Sequence, residues 1–278
     1  MRSSPFPLIK ASATGNDFIL VDLLSTELKK LWKKEGAKHS RKKWVQLWCD
    51  RFEGLGADGV VFLEADRTLD FAWDFYNSDG SSAEMCGNAA RAACLYVNVR
   101  TGKPKLSFKT KVGTVHAIIQ SPKKVSVSLP PISQEEWSQW TVNSDGSKVQ
   151  FDWIRSGVPH AVVSVPHLDS FEDLEVLALA IKREPRFKKE GTNVTFVRQL
   201  GTNKVESVTY ERGVEGFTKS CGTGAIAAAY SLLRGEIGKT VQVRVPGGQL
   251  SVSWKNGQPL LTGPAKLVAE SHWISESK

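Results

Sequence analysis

The chain has 278 residues, 41% of them hydrophobic and 24% charged, with a formal net charge of +8. This length gives two sizeable cores room to form, and the composition is that of an ordinary globular protein. No apolar run approaches the roughly 18 residues of a membrane span, and the N-terminus lacks the apolar stretch of a secretory signal, so a cytoplasmic protein without a membrane partner is expected.

In chain order, Gly15-Asn16-Asp17-Phe18-Ile19-Leu20-Val21 opens the first strand-like segment. Most of the excess positive charge follows, in Lys29–Lys43, which reads as two short helices around Gly36. Ser25 or Thr26 is the N-cap candidate, and Leu28, Leu31 and Trp32 form one apolar side. A nucleic-acid role would need this stripe as the electrostatic footprint and Trp32 and Trp44 as stacking groups. A solvated helical face with its tryptophans in the core is the preferred reading, and no nucleic-acid partner is expected. Strands are predicted at Gly59–Leu63 and Phe71–Tyr76, the second leading into Cys86-Gly87-Asn88-Ala89-Ala90-Arg91-Ala92-Ala93. Gly113 comes 27 residues after Cys86, and an alternating segment runs from Lys124 to Leu129.

The second half repeats this order. Val158–Val163, Asn193–Val197 and Val205–Tyr210 read as strands and lead into Cys221-Gly222-Thr223-Gly224-Ala225-Ile226-Ala227-Ala228. Gly248 lies 27 residues after Cys221, and Leu250–Trp254 alternates in turn. Short β-rich segments, turn residues and a single alanine-rich helix thus occur twice. The fold class expected is α+β, with two pseudo-symmetric lobes and the cysteines meeting at the cleft between them.

A cysteine at the mouth of a helix sits in the positive end of the macrodipole, beside backbone N–H groups with no partner in the helix. That setting lowers a thiol pKa and makes the adjoining backbone an anion site. Four cysteines at this density point to reduced thiols, and Cys49 and Cys94 read as small buried residues. Cys86 and Cys94 lie eight apart and Cys221 has neither Cys nor His close by, so no metal is expected. A cysteine hydrolase with His160 as base leaves the second motif without a purpose, and a dithiol redox pair is another reading.

Two like thiols suit inversion of a stereocentre beside a carboxylate. One thiolate removes the α-proton from one face while the opposing thiol delivers a proton to the other. Gly87 and Gly222 let backbone approach the ligand, Asn88 and Thr223 add donors, and the helix N-termini hold the developing charge. No Walker loop, dinucleotide fingerprint or pyridoxal lysine context is present, so no cofactor is expected.

The motifs resemble those of the diaminopimelate epimerase family, pyridoxal-independent two-cysteine epimerases. The likeness runs through Ala13–Phe18, Gly56–Gly59, Tyr76–Gly80, Glu84–Asn88, Pro159-His160, Gly191–Val194, Tyr210–Gly213, Ser220–Gly224, Pro246–Gly248 and Gly263–Ala265. The two cysteine motifs alone would also admit proline-racemase-like and phenazine-isomerase-like relatives. The resemblance implies an isomerase of lysine and peptidoglycan precursor synthesis that acts on a small amino acid. Each lobe would be a curved sheet wrapped around a central helix: residues 1–121, to which 262–278 return, and residues 122–261.

It also implies that Cys86 and Cys221 are the catalytic bases. Asn16, Asn77, Asn193, Glu211 and Arg212 would be substrate contacts, and the Gly87-Asn88 and Gly222-Thr223 backbone would hold the reacting carboxylate. Arg212 offers a planar fork for a carboxylate and Glu211 a counter-charge for an ammonium group. His160 would support a cysteine. Family members are often homodimers. One departure is that Val158 stands where the family usually has an asparagine that binds the far end of the substrate, which leaves a broader racemase acting on glutamate as the alternative. Phe217 stands where an acidic residue is common. From another class, a non-catalytic basic binding protein on the same fold is the competing reading; it would keep its activity without either cysteine.

Overall fold

The structure is a computed structural model and describes residues 6–142 and 148–274. It divides into two compact units, 1–127 with 264–278, and 128–263.

The first unit begins with β1 (Phe6–Ala13) and β2 (Asn16–Leu23), an antiparallel pair joined at Thr14-Gly15 with both residues at positive φ. Then come α1 (Thr26–Glu35), α2 (Arg41–Cys49), β3 (Gly59–Glu64), β4 (Phe71–Asn77), the short β5 (Ser82–Ala83), α3 (Gly87–Thr101), β6 (Lys105–Thr110), β7 (Gly113–Ser121) and β8 (Lys124–Ser128). β2 and β3 run parallel, as do β4 and β6; the other neighbours are antiparallel. The last strand, Lys266–Trp273, returns to pair antiparallel with β1, Phe6 opposite Trp273. Residues 122–127 stay with this unit because β8 pairs with β7.

The second unit repeats the scheme with β9 (Gln134–Val142), β10 (Lys148–Ser156), β11 (Val158–Ser164), α4 (Phe171–Lys182), β12 (Asn193–Gly201), β13 (Lys204–Glu211), β14 (Gly216–Thr218), α5 (Gly222–Leu232), β15 (Val241–Val245), β16 (Gly248–Lys255) and β17 (Gln258–Pro264). Its parallel contacts, β11 with β12 and β13 with β15, fall where those of the first unit fall. The sequence repeat is therefore a repeat of topology.

Each unit closes around its alanine-rich helix. α3 packs against β1, β2, β3, β7 and the last strand, and Ala89, Ala90, Ala92 and Ala93 are fully buried. α5 packs against β10 to β13, β15 and β16, with Ala225, Ala227, Ala228 and Ala229 buried. A helix enclosed on all sides has no polar face, and small side chains let surrounding strands approach its backbone. Gly102, at φ +73°, ends α3 by taking the left-handed conformation that closes a helix.

The outer helices of the first unit bury the aromatic residues. Ser25 is the N-cap of α1, accepting from the Leu28 N–H at 3.2 Å. Trp32, Trp44 and Trp48 pack with Phe62, and Trp44 and Trp48 stack at 5.2 Å. Trp44 is thus a core residue and Trp32 packs, partly buried, against that core, while the basic side chains of α1 face outward. Among the described residues no helix is long and apolar enough to cross a membrane.

Candidate active site

Each unit gathers one set of candidate site residues, a half-site of the repeat, at the mouth of its own central helix. In the first, Cys86 is the N-cap of α3 in extended conformation, and its Sγ accepts from the Ala89 N–H at 3.5 Å. Asn88 lies one residue into the helix and is buried; its Nδ2 donates to Asn16 Oδ1 at 2.9 Å. Asn16 in turn donates to Asp58 Oδ2 at 3.0 Å. The register explains the meeting, because β2 pairs with β3 just where Asp58 precedes it, and the Asp58 N–H donates to the Asp17 carbonyl. Asn77 ends β4 opposite Gly59 and is exposed, donating to Ser81 Oγ at 3.0 Å across its own turn. Asn16 and Asn88 are therefore bonded to each other, Asn88 two residues from Cys86 in the chain, with Asn77 on the neighbouring strand end.

The half-site of the second unit is richer in side chains. Cys221 caps α5 in extended conformation without a side-chain bond to the helix backbone. Its Sγ lies 3.4 Å from Thr223 Oγ1, and the Glu211 carboxyl is an alternative acceptor for its single proton. Thr223 Oγ1 reaches His160 Nε2 at 2.9 Å, and His160 Nδ1 meets Thr195 Oγ1 at 2.9 Å. Asn193 stands opposite His160 in the β11–β12 pairing, with Nδ2 3.3 Å from His160 Nε2.

The tautomer follows from these partners. Asn193 Oδ1 accepts from the Arg212 N–H at 2.9 Å, which fixes the amide and directs its NH2 at the imidazole. His160 Nε2 is then an acceptor, so Nδ1 carries the proton and donates to Thr195. Burial, aided by the Arg212 charge, lowers the His160 pKa to about 3, so the ring is neutral near pH 7. Thr223 donates to that nitrogen and has a lone pair left for the Cys221 thiol.

Glu211 has a local role beside the proposed counter-charge. It accepts from the Thr218 hydroxyl as well as from Cys221, and burial raises its pKa against both hydrogen bonds. The Arg212 guanidinium bonds the Glu190 carbonyl and lies 3.8 Å from the Glu190 carboxylate. That carboxylate is in turn held by both guanidinium nitrogens of Arg155, at 2.7 and 2.5 Å. Sequence reasoning missed Glu190, Arg155, Thr195 and Thr209, whose places depend on strand register.

Val158 is the first residue of β11, half-buried and paired with Ser156, whose hydroxyl donates to the Thr223 carbonyl at 2.9 Å. Phe217 lies in an aromatic group with Tyr210 at 5.3 Å and Phe196 at 6.2 Å, which accounts for an apolar side chain there. The other two cysteines stand apart from both half-sites. Cys49 and Cys94 are buried, and burial raises both thiols, Cys49 to about 12. Among the described residues no group of His, Cys, Asp and Glu is arranged to hold a metal.

Gly224 carries a steric requirement. A Cβ there would lie 2.4 Å from Thr209 Oγ1 and 3.1 Å from Thr195 Oγ1, the hydroxyl that holds His160. Gly224→Ala is expected to destabilise the protein by about 1–3 kcal/mol through overpacking. Urea unfolding reads this as a lower midpoint, and an unchanged midpoint would show that the helix shifts freely.

The family model described as diaminopimelate epimerase matches residues 8–132 and 153–268. The diaminopimelate epimerase of Aquifex aeolicus is 38% identical over 277 residues, covering 96% of this chain and 97% of that protein. That of Pseudomonas aeruginosa PAO1 is 33% identical over 278 residues, with 94% and 96% covered. The fold is shared more widely. A hydroxyproline epimerase structure from Agrobacterium vitis superposes with a TM-score of 0.71 at 17% identity, covering 99% of this chain and 95% of that one. A phenazine-biosynthesis PhzF-family protein from Bacillus anthracis does so at 0.69 and 11%, covering 98% and 100%. With the match running through both repeats and both cysteine motifs, the chain belongs to the diaminopimelate epimerase family.

Proposed function

We propose that this protein interconverts LL- and meso-2,6-diaminopimelate without a cofactor, using Cys86 and Cys221 as its two acid–base groups. The observation that carries the reading is the duplicated N-cap thiol, one per unit, each at the mouth of a buried alanine-rich helix. An inversion run in both directions needs two groups of like chemistry, and the repeat supplies that likeness. A thiolate takes the α-proton, and the other thiol returns a proton to the opposite face. The first backbone N–H groups of α3 and α5, at Gly87-Asn88 and Gly222-Thr223, stabilise the charge that develops on the carboxylate.

Asn16, Asn77, Asn193, Glu211 and Arg212 are assigned to the substrate's amino-acid groups. His160 supports Cys221 through Thr223. As a family member the protein serves lysine and peptidoglycan precursor synthesis, and we place it in the cytoplasm, as a homodimer.

The test is α-proton exchange in heavy water, followed by NMR, with reduced protein and LL-diaminopimelate, L-glutamate or L-proline in separate tubes. Deuterium at the α-position of diaminopimelate, with the meso form appearing, is expected. Folded, reduced protein that exchanges none of the three overturns the reading.

Val158 favours one second reading, a broader racemase that also accepts glutamate. It puts an aliphatic side chain where an amide would offer both a donor and an acceptor. Val158→Asn is expected to raise the preference for diaminopimelate over glutamate, as the ratio of kcat/KM values, by about tenfold. An unchanged ratio would separate this position from specificity.

A further inference from the structure

Arg91 is the one charged residue of the Cys86 helix motif, and the matching position of the other repeat is Ile226. Its side chain is fully buried inside the first unit. The guanidinium turns back toward the start of α3 and makes four hydrogen bonds, all to neutral oxygens. Nη1 donates to the Gly87 carbonyl at 3.2 Å, and Nη2 donates to Thr14 Oγ1 at 2.6 Å and Asn88 Oδ1 at 2.5 Å. Nε donates to the Pro264 carbonyl at 3.4 Å. A buried cation bonded only to neutral acceptors is costly unless an anion lies near it.

The ionic groups on the surrounding elements are engaged elsewhere or lie at the surface. On β1 and β2, Lys10 pairs with Asp17, and Asp22 pairs with Arg100 and accepts from Tyr96. Arg51 holds both Asp17 and Asp58, and Glu64 at the end of β3 pairs with Arg41. Glu84 before the helix, His116 on β7, and Lys266, Glu270 and His272 on the last strand are exposed. The remaining candidate anion is Cys86. Its Sγ sits at the helix mouth, on the residue next to Gly87, whose carbonyl the guanidinium bonds, and already accepts a backbone N–H.

Resting on the reading of Cys86 as an acid–base group, we propose that Arg91 is a positioning residue, a fixed counter-cation that makes Cys86 the resting thiolate of the pair. Burial lowers the Arg91 pKa to about 10 and a Cys86 charge acts against that shift, so the guanidinium stays protonated near pH 7. Cys221 has the opposite surroundings, with the Glu211 carboxyl and the Thr223 hydroxyl as alternative acceptors for its one proton. The two bases of the repeat are alike in backbone and unlike in charge. The same Arg91–Asn88–Asn16 chain of bonds braces the first half-site, so one residue sets both the ionisation and the shape of that side.

The test reads thiolate directly and needs no substrate. Thiolate absorbance near 240 nm is titrated in Cys221→Ser, which reports Cys86, and in Cys86→Ser, which reports Cys221. Cys86 is expected to titrate at least about one pH unit below Cys221; equal midpoints or the reverse order overturn the proposal. In the Cys221→Ser background, Arg91→Met is expected to raise the Cys86 midpoint by about one unit or more, with Arg91→Lys restoring most of it. An unmoved midpoint in folded Arg91→Met reduces Arg91 to a packing role and also overturns the proposal. If that variant does not fold, the order of the two midpoints decides alone. Failure of diaminopimelate turnover with the expected midpoints would remove the proposed substrate and leave this assignment standing.

Discussion

Cys86→Ala and Cys221→Ala are each expected to lower epimerase turnover by about a thousandfold or more, at the upper part of the range for losing a positioned acid–base group. Neither change should unfold the protein. Cys86 contributes an N-cap bond to the fold, a 3.5 Å contact from the Ala89 N–H worth about 1 kcal/mol, and its loss also takes the proposed counter-anion from the buried Arg91, so Cys86→Ala is the more destabilising of the two. Cys221 makes no cap bond to its helix, so its removal costs less. Both thiols are only half-buried, and alanine fills most of the same space. Circular dichroism should therefore show both variants folded, with the unfolding midpoint lowered more in Cys86→Ala than in Cys221→Ala, while turnover is lost in both. The result separates the acid–base reading from that of a basic binding protein on the same fold, for which both alanine variants would keep their function. Full epimerase activity in either variant would sink the two-base mechanism.

The repeat was legible in the sequence because two physical demands write themselves locally. A helix enclosed by a sheet must be small on every side, which shows as the alanine runs after Cys86 and Cys221. Tight strand connections need residues tolerant of positive φ, which shows as Gly113 and Gly248, each 27 residues past its cysteine. The half-site partners were less legible, because register decides them. His160 meets Asn193 only through the parallel β11–β12 pairing, which spans α4. Arg155 reaches Glu190 across 35 residues, and Arg91 reaches Thr14 across 77. Arg91 lay within the first motif, and the one available signal was its replacement by Ile226 in the copy; its set of neutral partners needed coordinates. The basic stretch shows the converse. Its charge dominated the composition, whereas its structural contribution is the apolar side carrying Trp32.

His160 should make the protein acid-sensitive from a higher pH than its ion-paired carboxylates do. In the unfolded chain its pKa is about 6.5, and in the folded protein burial, aided by Arg212, holds it at about 3. Between those values the unfolded state binds a proton that the folded state refuses, so stability falls as pH drops from about 6.5 and levels off near 3. The full window corresponds to a loss on the order of 5 kcal/mol. Asp17 acts lower down. Burial raises it, but hydrogen bonds from Arg51 and Lys10 outweigh burial and carry it to about 2, so its contribution is lost only below its ordinary value of 3.8. Glu211 works in the opposite direction, because a raised carboxyl binds its proton more readily in the folded state and stability falls there as pH rises. Urea unfolding at pH 7, 6, 5 and 4 is therefore expected to show a steady decline in the unsubstituted protein. The decline should be largely absent in His160→Gln, which keeps a side chain able to hydrogen-bond Thr223 but has nothing to titrate. The variant starts from a lower stability at pH 7, since Thr195 and Asn193 lose a partner, at about 1–3 kcal/mol for each group left unsatisfied. Parallel slopes in the two proteins would mean that His160 takes up its proton in the folded state, and the relay from Cys221 through Thr223 would then end on an imidazolium rather than on a neutral acceptor.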